Sequence, residues 1–230
     1  MIEITNTDVY GWEATIRGMR NPMNSWDKSD SGLAVMNPED VEFGYEPNYE
    51  FIIGENDLSL MHKLSDAGSD HGKFLRMITV TADINAPLYW WKEYDTYKVG
   101  TVANSCSTMH KIHAKPFALD DFSHEHLSND KNAGIGVLLT VIEALNLNRE
   151  LYLSGKDKTF WRNMIQLLPT SYNQLRTVQL NYQVLKNMYH ARKNHKLDEW
   201  HDFCAWIETL QYSELITGKE KDDEKNTYAL

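Results

Sequence analysis

The chain has 230 residues, 42% of them hydrophobic and 24% charged, with a formal net charge of −10. That length and apolar content support one large domain or two small ones with a real core, and they exclude a disordered chain. The acidic balance argues against broad binding to a nucleic-acid backbone, and no apolar run approaches the ~20 residues that span a bilayer. Cys106 and Cys204, the two cysteines, provide no disulfide framework, and the N-terminus lacks the charged segment, apolar core and cleavage site of a leader. The expectation is a cytoplasmic protein with neither membrane nor nucleic-acid partners.

In chain order, residues 9–19 read as a strand turning into a short helix. Residues 20–47 are rich in Asn, Pro, Ser, Asp and Gly, and read as surface loops with one short helix from Pro38. A strand is expected at 51–53, followed by a helix that Glu55-Asn56-Asp57 cap, running to Ala67 and ended by Gly68. Over residues 74–84, Ile78, Val80, Ala82 and Ile84 alternate with Met77, Thr79, Thr81 and Asp83, the clearest strand pattern in the chain. Asn85 and Pro87 then open the aromatic helix PLYWWKEYDTYK, which Gly100 interrupts. Residues 101–117 hold small polar side chains of the kind that let backbone approach a ligand, and re-enter helix near Thr108; residues 118–132 form an acidic, His-containing loop.

The remainder reads as helices at 135–153, 158–167, 172–192 and 197–210, the last continuing to 216, all joined by short loops. Strands first and helices after imply a single α+β domain over residues 1–218, with 219–230 a disordered charged tail.

The segment 172–192 carries the most chemistry. Leu175, Val178, Tyr182, Leu185 and Tyr189 fall at a 3-4-3-4 spacing, and one further step lands on Arg192. On a helical wheel Asn181 lies about 20° from Arg192 and ~16 Å along the axis, whereas Asn187 points about 120° away. A guanidinium at the edge of a buried stripe is costly unless it meets an anion, either a protein carboxylate or a ligand. Upstream, His71 precedes the best strand, and Lys92-Glu93-Tyr94 offers a cation, a carboxylate and a phenol. Cys106 with His110 and His113, or with His124 and His126, matches no closed zinc pattern, and no metal is expected. There is no Gly-rich phosphate loop, so any nucleotide must be held by scattered side chains.

The run Leu168-Pro169, eleven residues, Asn181, five residues, Asn187, four residues, Arg192 resembles the flavin-dependent thymidylate synthase family. His71 followed by Phe74 and a strand, Tyr89-Trp90-Trp91, and Asn104-Ser105-Cys106-Ser107 are similar to further family segments, so that residues 55–210 can be followed. The resemblance implies an α+β fold with an antiparallel sheet packed against a layer of long helices. It also implies a homotetramer with sites between subunits, and methylation of dUMP using FAD, NADPH and methylenetetrahydrofolate. Carried over by position, His71, Lys92, Asn104, Asn181, Gln183 and Asn187 would contact FAD, Arg192 would be the catalytic and substrate-holding residue, and Cys106 and Ser107 would flank the substrate.

Departures from the family pattern are equally specific. Its Arg-His-Arg signature falls on Lys92-Glu93-Tyr94, Gln183 and Ile165 each replace an Arg, Cys106 replaces a Ser, and about four residues are inserted before Asn104. Each lost cation removes a charge-assisted phosphate bond. Two further readings follow: a non-catalytic nucleotide-binding or assembly module in which Arg192 pairs with an internal carboxylate, Glu93 being the candidate, and a Cys/His enzyme using Cys106.

Overall fold

The computed structural model describes residues 2–36, 39 and 45–218. Its centre is β4 (Thr79–Pro87), which pairs antiparallel with β1 (Glu3–Tyr10) on one side and β6 (Asn173–Asn181) on the other. A short β5 (Val102–Ser105) pairs antiparallel with the far edge of β6, giving the order β1-β4-β6-β5. Alternation in β4 buries Val80, Ala82, Ile84 and Ala86 on one face, in register with the buried Leu180, Val178 and Gln174 of β6. The opposite face is polar. There Asp83 accepts hydrogen bonds from Thr177 Oγ1 (2.5 Å) and Asn6 Nδ2 (2.8 Å), which hold its carboxyl below the usual range.

The buried face carries the main core. It receives Trp12, Ile16 and Met19 from α1 (Trp12–Arg20), Met61 from α2 (Glu55–Asp66), and Trp90, Trp91 and Tyr94 from α3 (Leu88–Tyr94). A second, smaller core joins α4 (Ile135–Gly155) and α5 (Lys158–Leu167) to the loop before them through Ile112, Phe117, Phe122, Leu138, Ile142, Leu145 and Met164. The main core is completed by α6 (Tyr182–Arg192), α7 (Asp198–Thr209) and α8 (Glu214–Thr217). Between β1 and α1 the backbone turns at Gly11 with φ +99°, where a Cβ would stand 2.4 Å from the Met77 carbonyl oxygen, so glycine is required twice over. A separate antiparallel ribbon, β2 (Gly32–Val35) and β3 (Tyr49–Ile52), lies outside the main sheet.

The helices expected at 135–153, 158–167 and 197–210 and the capped helix from Glu55 stand within two residues of the observed ends. The segment 172–192 differs. Its first half is β6 and only Tyr182–Arg192 is helical, so Leu168-Pro169 introduces a turn, with Tyr172 N–H bonded to the Pro169 carbonyl (3.0 Å), and not a helix. Leu175 faces the open side at 42% exposed, while Val178 and Leu180 face the core. The apolar positions of a strand run directly into those of a helix, and together they imitate one helical stripe.

Three smaller corrections concern segments of four to six residues, too short to set a period of their own. β4 begins only at Thr79, because Gly72–Met77 form a 3-10 turn. Residues 101–117 supply β5 and turns where helix was expected near Thr108, and β2 lies within the stretch read as loops. The expected helix from Pro38 starts outside the described residues, as the 219–230 tail does.

Candidate functional site

The register of β4 and β6 sets up the site. Thr79 lies opposite Asn181 and Pro87 opposite Asn173, so α3 leaves one end of the strand pair and α6 leaves the other. α3 rises about 10 Å and α6 about 16 Å. Their C-terminal ends meet at Glu93 and Arg192. Arg192 Nη1 donates to Glu93 Oε2 (2.9 Å) and Arg192 Nε to the Tyr97 hydroxyl (2.9 Å). The same Glu93 oxygen accepts from Trp200 Nε1 (2.9 Å) and lies 3.3 Å from His195 Nε2. The guanidinium stands 4.8 Å from the Trp200 ring and 5.5 Å from the Tyr97 ring. The anion that Arg192 requires is therefore supplied within the chain, by the carboxylate that the sequence had singled out.

At its other end α6 begins on Asn181, whose Oδ1 accepts from Val184 N–H (3.0 Å) and so caps the helix. The loop after α3 presses on this cap. Gly100, at φ +81°, would place a Cβ 3.0 Å from Asn181 Nδ2. Along the outer face of α6, Gln183 donates to Asn187 Oδ1 (3.1 Å), and both line a groove of about 530 Å³ with Lys186, His190, Ser65 and Ser69. Lys186 Nζ donates to the Ser65 carbonyl (3.1 Å) and Oγ (2.6 Å), and burial holds its ammonium below the ordinary lysine value.

The other predicted residues are elsewhere. His71 is exposed on a cleft of about 880 Å³ between α1 and α2, with Lys73 and Arg76 beside it. Lys92 is exposed on the last turn of α3, and Asn104 is exposed on β5 opposite Thr177. Cys106 lies in a hollow of about 440 Å³ with Lys115, Asp121 and Tyr172; its N–H bonds the Leu175 carbonyl (2.9 Å). Ser107 Oγ accepts from the N–H groups of Met109 (3.2 Å) and His110 (2.8 Å), shaping a turn. Leu175 and Asn181 are six residues apart on β6, roughly 20 Å, so one chain does not bring Cys106 and Ser107 to the α6 residues. Among the described residues no three His, Cys, Asp or Glu side chains are grouped to hold a metal. His113 packs on Tyr152 (4.9 Å), and His126 Nε2 meets Asp198 (3.1 Å).

Sequence reasoning missed Tyr97, His195 and Trp200, which complete the Arg192 cluster, and the buried pair of Arg20 and Asp57. Arg20 Nε donates to Asp57 Oδ1 (2.6 Å), and Asp57 Oδ2 accepts from Ser29 Oγ, Ser31 Oγ and the N–H groups of Asp30 and Ser31. Burial pushes the Asp57 carboxyl up, but the hydroxyls of Ser31 and Ser29 and the Arg20 guanidinium outweigh it and hold the carboxyl below the usual range. The one available signal was three hydroxyls and two acids crowded into SWDKSDS beside an Arg-bearing helix end.

No family model matches the sequence, and no curated protein matches it. The fold does have solved counterparts. Two crystal structures of flavin-dependent thymidylate synthase from Helicobacter pylori, each with FAD and dUMP, are similar at TM-scores of 0.65 and 0.66. Both are 15% identical in sequence, and each comparison covers 94% of this chain and 97% of the other. No described helix is long and apolar enough to cross a membrane. With an antiparallel four-stranded sheet packed with helices and near-complete mutual coverage, the chain has the α+β fold of the flavin-dependent thymidylate synthases.

Proposed function

We propose that this protein is a ligand-binding module built on the thymidylate synthase fold, without the cationic centre that methylation of dUMP demands. The supporting observation is the Glu93–Arg192 pair: the guanidinium is 19% exposed, already neutralised, and clamped by Tyr97 and Trp200. A phosphate entering there would meet the Glu93 carboxylate, a like charge that is expensive to approach in a partly dry site. The diphosphate of FAD fares no better on these residues. Gln183 and Asn187 are neutral and bonded to each other, while Lys92 and His71 stand on separate elements.

A second reading, a divergent active synthase, is favoured by the FAD and dUMP in both structural counterparts. In it Arg192, Cys106 and Ser107 would take dUMP, while His71, Lys92, Asn104, Asn181, Gln183 and Asn187 would take FAD. The sites would be assembled between subunits of a homotetramer, with NADPH and methylenetetrahydrofolate as co-substrates. One preparation separates the readings. The module reading expects a colourless protein that does not oxidise NADPH when dUMP and methylenetetrahydrofolate are added. A yellow protein that releases FAD on denaturation and shows dUMP-dependent NADPH oxidation would establish the enzyme instead.

A further inference from the structure

The cleft of about 880 Å³ between α1 and α2 shares no lining residue with the α6 groove, and neither Glu93 nor Arg192 borders it. Its walls are apolar. Met19 and Phe74 are buried in it, Leu60 and Leu64 present one face of α2 at a four-residue spacing, and Met23 and Met77 stand at the rim, 80% and 45% exposed. Unbranched thioethers mould themselves to a guest of irregular shape. Two backbone features keep the space open. Gly18 sits inside α1, where a helix disfavours glycine, and a Cβ there would stand 3.2 Å from Met77 Sδ. Met23 ends the 3-10 turn Asn21–Met23, which closes at Asn24 with φ +46°; Arg20 Nη1 donates to the Ser25 carbonyl (3.1 Å), so the buried Arg20–Asp57 pair anchors this wall.

One edge of the cleft is cationic. Side chains three apart eclipse one another in a 3-10 helix, so Lys73 and Arg76 of the turn Gly72–Met77 share a side, about 6 Å apart along the axis. Both are exposed, and among the described residues neither meets a carboxylate. Asp70 is the one acid on the lining, against Lys73, Arg76 and the His71 imidazole. In a chain of net charge −10, two uncommitted cations beside an apolar hollow are a local reversal of the overall field. We infer that this cleft binds an amphipathic organic anion, a carboxylate head on Lys73 and Arg76 with an aliphatic body of about ten carbons laid on the thioethers and leucines. The volume is that of a small-molecule pocket and favours such a guest over a protein segment. The site is independent of the choice between module and synthase, because it uses none of the residues on which that choice turns.

Titration calorimetry on the full chain tests the site with defined probes. Decanoate is expected to bind at one site per chain, and decyltrimethylammonium, a chain of the same length with the opposite head, about tenfold more weakly. Affinity should rise about threefold per methylene from octanoate to decanoate. Lys73→Glu combined with Arg76→Glu, both at exposed positions, should invert the head preference. Met23→Asp should weaken decanoate about tenfold, with circular dichroism confirming that each variant is folded. A native protein that takes up no decanoate, or that binds both heads equally, would overturn the inference whatever the variants do. So would a folded charge-reversed variant that still prefers the carboxylate. Neither result depends on whether the preparation is yellow.

Discussion

Arg20 and Arg192 each end a helix and each meet a carboxylate, yet their surroundings differ in a way that separates framework from site. Arg20 is 4% exposed and Asp57 fully buried; both Asp57 oxygens accept, Oδ1 from the guanidinium and Oδ2 from two hydroxyls and two amides, and Arg20 also donates to the carbonyls of Ser25 and Lys28. This saturated pair fastens the loop between α1 and β2 onto the start of α2 and leaves no valence for a ligand. Arg192 and Glu93 are 19% and 33% exposed, and Arg192 Nη1 and Trp200 Nε1 donate to one carboxylate oxygen with His195 Nε2 3.3 Å from it. Saturation marks scaffolding, and partial exposure leaves the Glu93–Arg192 pair open to solvent.

Removing one partner from each pair is the strongest way to break that contrast. Asp57→Ala leaves a buried guanidinium uncompensated and should cost about 3–5 kcal/mol, read as a lower urea midpoint with an unchanged slope. Arg192→Ala should cost less, about 1–3 kcal/mol, because water reaches Glu93 and the Trp200 indole still donates to it. A double-mutant cycle with Glu93→Ala should then return a coupling energy smaller than that of Arg20 with Asp57; an equal one would erase the distinction.

The mildest test is acid. Asp57 has a depressed carboxyl pKa in the folded protein, so its contribution is complete above the unfolded value of about 3.9 and is lost as pH falls through the lower folded value. The Asp57 contribution to the urea midpoint should therefore hold steady from pH 7 to 5 and drop below about pH 4. Asp57→Asn should flatten that drop, and a native protein with no acid limb would remove Asp57 from the account.

Elements whose periodicity came from one kind of structure were legible in advance. β4 alternates as expected from Thr79 to Ile84, though it runs on through Asn85–Pro87, which read as a helix start, and α5 and α7 carry clean boundaries. β6 was not, because a strand and a helix with no residue between them share a buried side, and their apolar positions merge into one apparent period. The Arg192 requirement for an anion was readable from its place at the end of a stripe, and Glu93 was the right acid. Trp200 was not readable, since it joins the cluster through tertiary closure of α7, whereas Tyr97 and His195, four residues after Glu93 and three after Arg192, lie in loops beyond the helix ends where no periodicity flags them. Arg20 and Asp57, 37 residues apart, lacked even a stripe to flag them.

The Glu93–Arg192 contact joins the ends of two helices launched from opposite ends of one strand pair, so it depends on the length of each. A single residue inserted into α6 would advance Arg192 by about 1.5 Å and swing it about 100° around the axis. Glu93 would then face only an indole and an imidazole. The count of residues in one helix, as much as the identity of any of them, decides whether this carboxylate is answered by a full positive charge.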